Sequence, residues 1–212
     1  MKYLLSLLIA TCSLTACHKE PTPTPEPAPA TSLVRSDKGD FMPFELGSTW
    51  TYLFHTYDTL SGVPNANHST TVHTYLGGYV MDNKEYFDLN GALIHFKEGI
   101  YYKYLNNQNG VAPIMIEDPV VGDTWKDTTI VDPYGMFPLI HTYTITATGQ
   151  HLTVPAGTFN DVVVLEVNSR GYQTATDEWH YYKKGIGLLQ QRINYRHFPK
   201  RVLMELDSYS IL

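Results

Sequence analysis

Cysteine is almost missing from this chain: only Cys12 and Cys17 occur in 212 residues. Both precede the segment able to fold, which therefore has no disulfide, thiol nucleophile or cysteine metal ligand. Long apolar runs are also lacking. Tyr3 to Ala10 (YLLSLLIA) is much shorter than the about 20 residues that span a bilayer. No segment keeps apolar residues at i, i+3, i+4, i+7 for three turns, which argues against long helices. Positive charge is in deficit, 15 basic against 21 acidic residues for a net of −6. The late cluster Arg192, Arg196, Lys200 and Arg201 is too small and interleaved to track phosphates, so no nucleic-acid partner is expected.

Compact chemical motifs are absent too. Nine histidines stand at 18, 55, 68, 73, 95, 141, 151, 180 and 197, with no H-E-x-x-H or H-x-H spacing and no G-x-S-x-G elbow. Adjacent carboxylates (Glu117-Asp118, Asp177-Glu178) point to opposite faces of a strand and cannot flank one bond. The sequence thus predicts no catalytic residues, no metal and no cofactor, and reads as a non-enzyme. The competing reading is a cell-envelope hydrolase assembled from distant strands around His141, His180 and Asp177.

What is present begins with a leader. Lys2, the short apolar run and the small residues after it have the three parts of a secretory signal. Leu14-Thr15-Ala16-Cys17 resembles a bacterial lipobox, which implies cleavage after residue 16 and a diacylglycerol on Cys17. An ordinary signal peptide ending near a cysteine is the alternative. Several acyl chains on one residue anchor durably without a membrane-spanning helix, at about 0.8 kcal/mol per buried CH₂. Pro21, Pro23, Pro25, Pro27 and Pro29 then favour extended polyproline II, so residues 17–40 read as a lipidated stalk. The expected location is the bacterial cell envelope, anchored in the outer or inner membrane with the outer favoured, facing the periplasm or the surface.

Residues 41–212 read as a single β domain. GSTWTYLFHTYD places Trp50, Tyr52 and Phe54 on one face, and later segments are similarly rich in Tyr, Val, Thr and Ile. Turn chemistry separates them at Asn90-Gly91, Glu98-Gly99, residues 106–110 and Asp132-Pro133-Tyr134-Gly135. The expected fold is all-β: an antiparallel meander forming a sandwich, a barrel or a strongly bent half-barrel. An internal echo points to two similar halves: Gly47-Ser48-Thr49-Trp50 with Gly122-Asp123-Thr124-Trp125, His73-Thr74-Tyr75 with His141-Thr142-Tyr143, and KEGIYYKYL with EWHYYKKGIGLL. Shared aromatic composition accounts for the same echo without duplication.

The early FELGSTWTY segment, LTVPAGTFNDVVVLEV (152–167) and YYKKGIGLLQ (181–190) together resemble a group of uncharacterised secreted lipoproteins of bacteroidete-type bacteria. The resemblance implies an all-β domain related to the half-barrel of lipoprotein-carrier-like proteins, and no particular activity. On its own physics, Pro155 should end a strand, Gly157 should take a positive φ, and Phe159 should plug the core. Gly185 and Gly187 should frame a bulge or tight approach.

Aromatic residues are in surplus, with 16 Tyr, 8 Phe and 3 Trp. Half-buried spacers are their ordinary role, but they also stack sugars or line apolar cavities. The strands carrying Tyr101, Tyr102 and Tyr104, and Trp179, Tyr181 and Tyr182, are the expected ligand-facing ones. The chain thus reads as a lipid-anchored protein whose β domain binds a glycan, a lipid or an envelope protein, or as a structural envelope protein with no small ligand. Asp58-Thr59-Leu60 and Asp127-Thr128-Thr129 also look like short bacterial O-glycosylation sequons.

Overall fold

Alternation of large apolar and polar residues builds strands throughout a computed structural model, which describes residues 40–43, 45–58, 64–81, 84–89, 91–105, 110–130, 138–172 and 174–212. The leader, Cys17 and the proline run lie outside the described residues, as do Thr59, Asn90, residues 106–109 and the turn expected at 132–135. Twelve strands and no helix occur among the described residues. They are β1 (Thr49–Asp58), β2 (Pro64–Met81), β3 (Lys84–Leu89), β4 (Ala92–Lys97), β5 (Ile100–Leu105) and β6 (Gly110–Ile116). The second six are β7 (Thr124–Ile130), β8 (Pro138–Val154), β9 (Gly157–Arg170), β10 (Ala175–Lys183), β11 (Gly187–Tyr195) and β12 (Lys200–Ser210).

All pair antiparallel in one sheet of order β6-β5-β4-β3-β2-β1-β12-β11-β10-β9-β8-β7. Every strand therefore lies beside its sequence neighbours except at one place. β1 closes onto β12, Thr49 opposite Ser210 through Asp58 opposite Lys200, while β6 and β7 share no ladder. The result is a meander barrel with a single unpaired seam. Pro113 lies in edge strand β6, where a residue without an N–H disrupts little pairing. Across the seam Trp125 Nε1 donates to Pro113 O at 3.3 Å.

The two halves share more than composition. Gly47 N donates to Tyr75 O and Tyr75 N to Ser48 O; Gly122 N donates to Ile145 O and Ile145 N to Asp123 O. Both glycines have positive φ, 89° and 99°. The second strand of each half then slips register just beyond that contact, between Tyr75 and Gly77 and between Ile145 and Ala147. The KEGI and KKGI turns likewise both join the fourth and fifth strands of their halves. This geometry makes Tyr75 equivalent to Ile145, so His73 matches Tyr143. The His-Thr-Tyr triplets of the sequence echo are offset by two residues, because the glycine turn sets the register and the triplet does not.

The V-P-A-G-T-F segment forms the β8–β9 hairpin. β8 ends at Val154, Pro155-Ala156 make the turn, and Gly157 has φ 138°. Its tip folds against β12, where Ala156 N donates to Leu206 O at 3.0 Å. Phe159 is buried there in the core, its ring 6.2 Å from that of Tyr209. Gly185 and Gly187 (φ 77° and 100°) shape the β10–β11 turn, next to a register shift at Tyr181/Tyr182.

Candidate functional site

The inner face of the barrel carries the core: Trp50 and Tyr52 of β1, Tyr75 of β2, Phe87 of β3, Tyr101 of β5, Ile145 of β8, Leu165 of β9 and Leu206 of β12 are all buried. This packing does not fill the lumen. A cavity of about 230 Å³ remains, walled by Trp50, Tyr52, Leu89, Ala92, Ile94, Ile114, Tyr182 and Leu188. The polar tips of two wall residues are tied back to the backbone. Trp50 Nε1 donates to Ile186 O at 2.7 Å and Tyr52 Oη to Leu188 O at 2.9 Å, which leaves their rings as apolar surface.

One part of the wall is made by the segment just ahead of β1. Phe41 is fully buried, its N–H donating to Tyr101 Oη at 2.9 Å, while Met42 and Pro43 face the cavity. Tyr101 Oη in turn donates to Glu117. Asp40 N donates to Glu117 Oε1 at 2.8 Å, and Gly185 N donates to Asp40 O at 2.6 Å. Lys184 reaches Glu117 at 3.5 Å and Asp118 at 3.3 Å, with its ammonium 5.4 Å from the Phe41 ring. Three separate elements, β5, the connection after β6 and the β10–β11 turn, thus hold residues 40–43 in place.

Polar groups reach the cavity at few points. Lys103 of β5 is solvent-exposed yet lines it, which marks the open side. His73 of β2 lies 5.2 Å, ring to ring, from Tyr52; burial holds its imidazole below the usual histidine range, and the nearby Lys103 charge adds to the effect. His180 and Gln191 line the cavity from β10 and β11. Glu178 accepts from Gln191 Nε2, His180 Nε2 and Thr176 Oγ1, each at 3.0 Å. Burial pushes the Glu178 carboxyl up, but these hydrogen bonds outweigh it and leave the group below the usual range.

The aromatic residues expected to face ligand divide by strand alternation. Tyr101 and Tyr182 point inward and are buried; Tyr182 lines the cavity. Tyr102 lies at the open seam with Trp125, and Tyr104 packs on Tyr86 at 5.8 Å between ring centres. Trp179 and Tyr181 lie together on the outer face. Sequence reasoning missed His73, Lys103 and Ile114, which come from strands far apart in the chain, and no local signal marks them.

The three residues of the hydrolase reading are not assembled. His141 has both ring nitrogens on hydroxyls, Thr129 Oγ1 at 2.9 Å and Ser169 Oγ at 2.8 Å. Asp177 is held outside by Arg170 and Arg196, each at 2.6 Å. No group of three or more metal-ligating side chains occurs among the described residues. In the Asp127-Thr128-Thr129 sequon, Thr128 is exposed and Thr129 buried.

No protein-family model matches the sequence. No curated protein matches it either. Among solved structures, the chain is similar to a Bacteroides fragilis protein inferred to be exported, with a YmcC-like fold. The TM-score is 0.51 at 12% identity, covering 81% of this chain and 99% of that one. A Parabacteroides distasonis protein inferred to be a lipoprotein is more distant, with TM-score 0.45, 12% identity and the same coverage. At this identity the first likeness concerns the fold.

Proposed function

We propose that this protein is a non-catalytic, lipid-anchored envelope protein whose barrel binds a single-chain amphiphile such as a fatty acid or monoacyl lipid. One observation carries the binding reading: an apolar lumen cavity with a lone exposed cation, Lys103, at its open side. Its volume, about 230 Å³, falls just below the roughly 300–1,000 Å³ of ordinary small-ligand pockets. That size suits one short chain better than a diacyl lipid. Lys103, with His73 behind it, would meet an anionic head group while the chain lies against Ile94, Ile114 and Leu188. The bonding of His141 and Asp177 away from each other favours binding over hydrolysis.

The test is displacement of a fluorescent fatty-acid analogue. Binding is expected in the native chain and lost in Ala92→Trp, which fills the cavity. Lys103→Gln should weaken carboxylates and leave long-chain alcohols unaffected. Unchanged affinity in Ala92→Trp would overturn the lumen as the site. The anchor is tested separately: Cys17→Ala should leave the membrane fraction or fail to mature. A Cys17→Ala protein that still pellets with membranes and needs detergent for release would refute the anchor.

A further inference from the structure

The outer face of β10, β11 and β12 carries a second arrangement, independent of the lumen. Trp179 and Tyr181, two residues apart on β10, lie on the same side and are half-buried. Arg192 stands directly across from Trp179 on β11, with its guanidinium 5.4 Å from the Tyr181 ring centre. Asn194 lies two residues further along, opposite Arg201 of β12. Together these five residues line an open depression on the surface.

The charge of this patch differs from that of its surroundings. The chain as a whole is acidic, and the nearby Arg170 and Arg196 both pair with Asp177. Arg192 and Arg201 instead donate through Nε to neutral amides, Gln190 Oε1 at 2.7 Å and Asn194 Oδ1 at 2.9 Å. No carboxylate pairs with either among the described residues. The nearest acidic neighbours by register are Asp177, opposite Asn194 and taken by Arg170 and Arg196, and Glu205, opposite Gln190, whose Nε2 donates to it at 2.7 Å. Bonding through Nε fixes each guanidinium plane and leaves the terminal amino groups able to fork a carboxylate.

We propose that this face binds an acidic saccharide, one pyranose ring stacked on Trp179 or Tyr181 and its carboxylate held by Arg192 and Arg201. The flat apolar faces of a sugar suit the two rings, and a uronate supplies the charge that the two arginines lack. A bare anion would use the arginines and leave the rings idle.

The experiment is calorimetric titration of the folded domain with short oligogalacturonates, a neutral galacto-oligosaccharide and inorganic phosphate. Acidic oligomers should bind about tenfold or more tightly than neutral ones, the scale of one charge-assisted contact. That preference should disappear in the Arg192→Gln, Arg201→Gln double variant. Both side chains are exposed, so the double variant should melt with the native protein. Trp179→Phe should retain binding and Trp179→Ala should lose it. Ala92→Trp should change nothing here, which separates this site from the lumen. Equal affinity for neutral and acidic sugars, phosphate displacing the uronate at equal concentration, or absence of binding would each overturn the proposal.

Discussion

Single side chains in this barrel act at a distance from their own strand. Phe159 closes the space between the β8–β9 tip and β12, so Phe159→Ala should cost about 3–5 kcal/mol. An unchanged urea midpoint would remove it from the core. Tyr101 carries a different load, since its hydroxyl accepts from Phe41 N–H and donates to Glu117. Tyr101→Phe would strand a buried donor, and a loss of about 1–3 kcal/mol is expected. Titration has a definite sign. His73 and His141 are held below the usual histidine range, in each case mainly by burial; for His141 the Asp127 and Glu178 carboxylates oppose the shift in part. The unfolded chain therefore takes up more protons than the folded one once pH drops to about 6.5, and stability falls on acidification from there. Glu178 and Asp177 are depressed below their ordinary values, so a second loss begins below about pH 4 as they are protonated. Thermal melts between pH 8 and 3 should show both stages, and His73→Gln should reduce the first. A melting temperature flat from pH 7.5 to 5.5 would contradict the burial argument.

At the scale of elements, turns were the most legible part of the sequence and registers the least. Pro155, Gly157, Gly185 and Gly187 announce their roles because the constraint is local: a missing N–H or a positive φ. Gly185 has open space around its α-carbon, so Gly185→Ala should cost only the strain of φ 77°, about 1–2 kcal/mol. A larger loss, measured by chemical denaturation, would mean that the turn also supports the Asp40 contact. Bulges escape such reading. The one between Tyr101 and Tyr102 adds Ile114 to β6, opposite no partner residue, and turns it toward the cavity. Its position depends on which strand lies alongside. For the same reason the His-Thr-Tyr echo suggested an alignment that the hydrogen bonds of Gly47 and Gly122 displace by two residues.

On the scale of the whole molecule, an all-β meander followed from alternation and turn spacing, but closure did not. β1 and β12 have no sequence feature that pairs them. Their ladder joins two meanders of five pairings each, β1–β6 and β7–β12, at the middle of the sheet, and the twist of each meander brings the outer strands β6 and β7 round to the seam. The cavity depends on that closure, since it draws Trp50 from the first strand and Leu188 from the eleventh. Only at this scale do His73, Lys103 and His180 become neighbours of one space.

The unpaired seam has a consequence for how the chain finds its fold. Laid out as a ring, the twelve strands are cut twice: once covalently, between β12 and β1, and once in hydrogen bonding, between β6 and β7. The two cuts fall on opposite sides of the ring, so the native chain must join its ends, Thr49 to Ser210, across almost its whole length. A circular permutant opened in the 117–123 connection, with Leu212 linked flexibly to the segment before Asp40, would bring the two cuts together. Every ladder would then lie between consecutive strands, the mean sequence separation of contacts would fall, and refolding should be faster at little change in the β1–β12 contacts themselves. Stopped-flow refolding of the two chains compares them directly, and equal rates would mean that closing the ring does not limit folding.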